Sequence, residues 1–179
     1  MNDARMDDVA LVARQLGRRP RAFRRVVVRC PFGRPAVTEQ EPYDREGEPF
    51  PTTYYLTCPQ LVAAIARIES AGGVERWSRA AQEDSELAAS LERATEEQRV
   101  LRTELADGRS GRDEGAALRR GIGGSASPEH LKCLHAHAAF ALARPGYALG
   151  ERILAEIEPL WPPERCCSER LDHDYYRRR

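Results

Sequence analysis

Thr52-Thr53-Tyr54-Tyr55-Leu56-Thr57-Cys58-Pro59-Gln60-Leu61-Val62 holds the change of period that decides the fold. Residues 52 to 57 are all β-branched or aromatic apart from Leu56, which predicts a short strand. Cys58-Pro59 then opens a helix, because proline at the first helical position loses only an N–H that would have no partner there. Leu61, Val62, Ile65 and Ile68 form the buried stripe of that helix, and Gly72-Gly73 stop it.

The same reading extends to both sides. A helix is predicted over residues 7 to 17, with Val9, Leu11, Val12 and Leu16 as its apolar face and Gly17 at its end. Phe23 to Arg29 reads as a strand running into Cys30-Pro31, and Pro35 to Thr38 starts another. A charged helical stretch runs from Val74 to about Ala106, broken near Asp84-Ser85. Its apolar positions are sparse, as in a helical hairpin or an arm. Residues 107 to 127 are rich in Gly and Ser. Ser127-Pro128 predicts a helix from Pro128 to about Arg144, and a last helix covers about Leu149 to Trp161. The expected architecture is a single α+β domain over residues 1 to 161, mostly helical with a small sheet. Residues 162 to 179 are expected to be a disordered tail.

Formal net charge is zero over the 179 residues, so nucleic-acid binding is not indicated. Residues 1 to 35 nevertheless hold nine Arg against three Asp, either a solvated basic face or a surface for RNA, an acidic partner or a phosphate ligand. No apolar run reaches the length of a membrane span and no secretion signal is visible, so a cytoplasmic location without membrane association is expected. Disulfides are uncommon there, which leaves metal binding, catalysis or plain burial to explain the five cysteines.

Cys133 and His137 are four residues apart on the predicted helix, hence on one face. With Cys30 leaving a strand and Cys58 starting a helix, they make a Cys3His set suited to zinc, with an iron–sulfur cluster as the second choice. Two other readings stay open. One is a reactive thiol: Cys58 at a helix N-terminus, or Cys133 with His137 as base and Lys132 nearby. The other is three buried structural cysteines. His130 and His135 read as solvent-facing or loosely packed, and Cys166-Cys167 receive no role.

Lys132 is the only lysine in an arginine-rich chain. It follows Arg119-Arg120-Gly121-Ile122-Gly123-Gly124, which precedes a predicted helix N-terminus. Gly121, Gly123, Gly124 and Lys132 are therefore a candidate anion site for a phosphate-containing ligand; the alternative is a flexible linker, with the lysine there by chance or covering apolar surface.

Four segments together resemble a bacterial family common in actinobacteria, domain-of-unknown-function family 501. They are Val12-Ala13-Arg14-Gln15-Leu16-Gly17, Arg29-Cys30-Pro31-Phe32-Gly33-Arg34-Pro35, residues 49 to 59 from Pro49 to Pro59, and Lys132-Cys133-Leu134-His135-Ala136-His137. The resemblance covers most of residues 7 to 160 and implies no activity. The family usually has Asn-Pro-x-Gly after the Cys-His helix, where this chain reads Tyr147-Ala148-Leu149-Gly150. The leading expectation is a metal-binding protein. The alternatives are a thiol- or metal-dependent hydrolase or transferase acting on a phosphorylated or acyl ligand, and an interaction module using the charged helix and basic N-terminus.

Overall fold

The structure is a computed structural model that describes residues 2 to 127 and 130 to 168. In chain order the elements are α1 (Asn2–Leu16), β1 (Phe23–Arg29), β2 (Pro35–Gln40), β3 (Tyr54–Leu56), α2 (Pro59–Ser70), α3 (Gly73–Glu83), α4 (Ser85–Ala106), α5 (Leu134–Ala143) and α6 (Ala148–Ala155). Two short 3-10 turns, Ala116–Arg119 and Ile122–Gly124, lie between α4 and α5. The fold is α+β, with a small antiparallel sheet in the order β1-β2-β3.

β2 is the central strand and is buried along its whole length. Its register with β3 pairs Val37 with Leu56 and Glu39 with Tyr54. Glu39 is buried at this position because Arg24 and Arg25 reach it at 3.0 and 2.8 Å. A buried carboxylate without such partners would carry a large desolvation cost.

The core forms around α5. Leu134, Ala136, His137 and Ala138 to Ala141 are all buried, so this helix is covered around most of its circumference. β3 lies on one side of it and α6 on another. Phe140 meets Tyr54 and Tyr147 edge-on, with ring centroids 5.5 and 5.7 Å away. Gly150 lets α6 approach: a Cβ there would fall 2.6 Å from the Ala141 Cβ and 2.8 Å from the His137 carbonyl oxygen.

The break expected near Asp84 is present. Its carboxylate caps α4, accepting from the Glu86 and Leu87 N–H groups at 2.9 and 3.2 Å. The stretch is not a free arm, however. Leu87, Leu91, Ala94, Gln98, Arg102 and Ala106 bury one face of α4. That stripe was hard to see because two of its members are polar. Arg102 is buried by donating to the Ala117 and Phe50 carbonyls at 3.2 and 2.9 Å, which ties the Gly-rich stretch and the β3 approach to α4. Burial alone lowers the pKa of its guanidinium.

The helix expected from Pro128 begins at Leu134, and residues 128 and 129 lie outside those described. The last helix stops at Ala155 instead of continuing to Trp161, since Pro159, Pro162 and Pro163 lack the N–H a helix needs. Within the expected tail Cys166 and Ser168 are buried, and residues 169 to 179 lie outside the described part. No helix among the described residues is long and apolar enough to cross a membrane.

Two substitutions test the packing around α5. Phe140→Ala is expected to cost about 3–5 kcal/mol of unfolding free energy. Gly150→Ala should cost about 1–3 kcal/mol through overpacking. Urea denaturation with an unchanged slope is the measurement.

Candidate functional site

Leu134 starts α5, and its N–H has no partner within the helix. Glu69, in the last turn of α2, supplies one: its Oε1 accepts from Leu134 N–H at 2.6 Å. A carboxylate is favoured at a helix N-terminus by the exposed amides and the helix dipole. This contact fixes the carboxylate and turns Oε2 toward His135, 3.2 Å from its Nδ1. Cys133 is the N-cap residue, with extended backbone at φ −157°. Its Sγ lies 3.9 Å from the same Nδ1. The other ring nitrogen, Nε2, donates to the Val62 carbonyl at 3.1 Å.

Glu69, Cys133 and His135 thus offer three donor atoms within 4.8 Å of one another. Tetrahedral zinc, with Zn–S about 2.3 Å and Zn–N about 2.0 Å, sets sulfur and nitrogen about 3.5 Å apart. The separations from Nδ1 lie a few tenths of an ångström on either side of that. A bond from Nε2 to a backbone carbonyl is also the usual way a ligating imidazole is oriented. Cys133 and His135 line a cleft of about 510 Å³ whose other walls include Leu16, Tyr54, Leu56 and Val62.

The two histidines of α5 are in opposite electrostatic states. Burial works against a charge on His135, but Cys133, Glu69 and the Val62 carbonyl outweigh it and raise its pKa to about 9. His137 is wholly buried, and desolvation lowers its pKa to about 3. It shares a 2.7 Å hydrogen bond with the Tyr147 hydroxyl through Nδ1.

The structure does not bring the expected set Cys30, Cys58, Cys133 and His137 together. Of these, only Cys133 belongs to the donor group. The pairing of Cys133 with His137 assumed that both were helical. Cys133 instead precedes the helix in extended conformation, and His137 faces the core. Cys58 caps α2, but burial pushes its thiol up to about 12, so desolvation outweighs any help from the helix terminus. Its sulfur lies 3.5 Å from that of Cys167. Cys30 is hydrogen-bonded to Cys166, and burial raises its pKa.

Lys132 is exposed and lies before α5, not inside it. Gly123 packs near the Cβ atoms of Cys133 and Ala136, at 3.6 and 3.3 Å for a Cβ added there. Gly124, at φ +78°, would place a Cβ 2.8 Å from that of Pro51. Gly121 is buried and donates its N–H to the Ser125 carbonyl at 2.8 Å. These glycines therefore make close packing contacts, and the helix N-terminus that follows them already holds the Glu69 carboxylate.

Glu69 and His135 were missed from the sequence. The available signal was a carboxylate in the last turn of a helix, where the dipole disfavours it.

The described residues define an α+β protein with a Glu–Cys–His donor group at the edge of a cleft. The profile of the family described as "Protein of unknown function (DUF501)" matches residues 26–155, and the chain belongs to that family. No curated protein and no solved structure matches it.

The histidines give metal-free protein a two-sided pH dependence. His135, raised from 6.5 to about 9, contributes stability that is complete below about pH 6.5 and lost as pH rises through about 9. His137, lowered from 6.5 to about 3, contributes stability that is complete above about pH 6.5 and lost as pH falls toward 3. Melting curves in chelator should show the gap between wild type and His135→Gln narrowing from pH 6.5 to 9. A constant gap would exclude the His135–Glu69 ion pair.

Proposed function

We propose that the protein binds zinc through Cys133 Sγ, His135 Nδ1 and Glu69 Oε2, and that the metal presents a coordination position to the adjoining cleft. The observation that carries this reading is the convergence of thiol and carboxylate on one imidazole nitrogen, while the backbone engages the other. In a Cys-His-acid nucleophilic triad the imidazole bridges its partners through different nitrogens. Here both partners face Nδ1, an arrangement that suits an ion better than a proton relay.

The donor chemistry favours zinc. A thiolate, an imidazole and a carboxylate are all ordinary zinc ligands, and three protein ligands with an open position are the pattern of sites where zinc handles a ligand. An iron–sulfur cluster is normally held by four thiolates, and this group supplies one. The cleft's leucine, valine and tyrosine walls fit a ligand with an apolar portion, such as an acyl group. This supports a metal-assisted reaction over a purely structural role.

Elemental analysis of protein purified without chelator should find zinc equimolar with the chain. Cys133→Ser, Glu69→Gln and His135→Gln should each lose most of it, while Cys58→Ser and Cys30→Ser keep it. A chelator should lower the melting temperature of the wild type but not of Cys133→Ser, because metal bound only by the folded state stabilises that state. Iron in place of zinc, no metal, or full retention in Cys133→Ser would overturn the proposal.

A further inference from the structure

Among the described residues after α6 there is no regular structure, yet residues 166 to 168 are seated on the domain through specific contacts. Cys166 is buried and hydrogen-bonded to Cys30, just beyond β1. The next residue, Cys167, has its sulfur 3.5 Å from that of Cys58, the N-cap of α2. Ser168 donates its N–H to the Cys166 sulfur at 3.5 Å and accepts from Gln15 Nε2 at 3.1 Å. Four of the five thiols thus meet in pairs, and each pair joins the C-terminal segment to an element more than a hundred positions earlier in the sequence. Adjacent cysteines are poorly placed to ligate one ion together, but they suit two separate partners.

We propose that Cys58 and Cys167 are a redox pair that a peroxide converts to a disulfide, fastening the C-terminal segment to the start of α2. The Cys30–Cys166 contact beside it holds Cys167 in register over Cys58. A cavity of about 270 Å³, lined by Pro59, Gln60, Pro162, Arg165, Cys166 and Cys167, opens beside the pair and admits a small oxidant. Cys167 is half-buried and Cys58 is 2 % exposed, so the oxidant meets Cys167 first.

The Cys167 thiolate attacks one peroxide oxygen. The S–O bond forms, the O–O bond breaks, and the departing hydroxide takes a proton to become water. The Cys58 sulfur then attacks the sulfenic sulfur: the S–S bond forms, the S–O bond breaks, and a second water leaves with the Cys58 proton. Two thiols are oxidised to one disulfide as one hydrogen peroxide is reduced to two waters. Closure needs the sulfurs to approach by about 1.5 Å, to the usual length of about 2.05 Å. Burial holds the Cys58 thiol up at about 12, which makes its attack the slower step.

The test is to treat the reduced full-length protein with equimolar hydrogen peroxide, unfold it in an alkylating agent, and map the peptides by mass spectrometry. The expected product joins the Cys58 and Cys167 peptides, while Cys133 is recovered alkylated. Trypsin cleavage after Arg165 should slow severalfold in the native oxidised protein and recover after reduction. In Cys167→Ser, Cys58 should remain alkylatable after peroxide, with zinc content unchanged, which separates this pair from the Cys133 site. Cys58 alkylated in the treated wild type, Cys167 joined to a different cysteine, or Cys167 recovered as sulfinic acid would overturn the proposal.

Discussion

Burying α5 is the constraint on which the rest of the structure depends. A ten-residue helix with seven buried residues has little face to give to water. β3, α2, α6 and the 3-10 turn at Ile122–Gly124 therefore surround it. Enclosure satisfies the sides of the helix but not its N-terminal end, where the first amides have no intrahelical acceptor. Glu69 answers that need, and in doing so it places a carboxylate beside the Cys133 thiol and the His135 ring. The donor group is thus a by-product of closing the end of the most buried helix.

The charged residues are organised to match. Four of the nine arginines in residues 1 to 35 are held in ion pairs. Arg21 pairs with Asp44, Arg24 and Arg25 with Glu39, and Arg29 with Asp8. Further pairs join α3 to the residue after α6 (Arg76–Glu156) and α6 to the start of α4 (Arg152–Asp84). Exposed pairs of this kind contribute little each, typically below about 1 kcal/mol. Their main effect is on specificity, since they link elements far apart in sequence. Such pairing weakens the case for a basic arm waiting for nucleic acid.

Much of the fold was legible from the sequence because its signals are local. The strand-to-helix switch around Cys58-Pro59, the three strands and the helix break near Asp84 each depend on a few neighbouring residues. What stayed hidden depended on distant partners. Arg102 and Gln98 look like surface residues until the carbonyls that receive them are known. Leu134, His135 and Ala136 look like helix interior, and only the position of Glu69 shows where that helix starts. One misplaced boundary was enough to pick His137 in place of His135, because helical spacing was applied to a residue that precedes the helix. The thiol contacts of Cys166 and Cys167 were invisible for the same reason: no sequence period connects them to Cys30 and Cys58.

α2 has one more consequence. Its N-cap is Cys58 and its last turn carries Glu69, so a single 12-residue helix has thiols at one end and the carboxylate donor at the other. At 1.5 Å per residue it is a rod about 18 Å long. A rod of that length transmits tilt better than it absorbs it. The proposed thiol pair and the proposed metal site would therefore sit at the two ends of one rigid element.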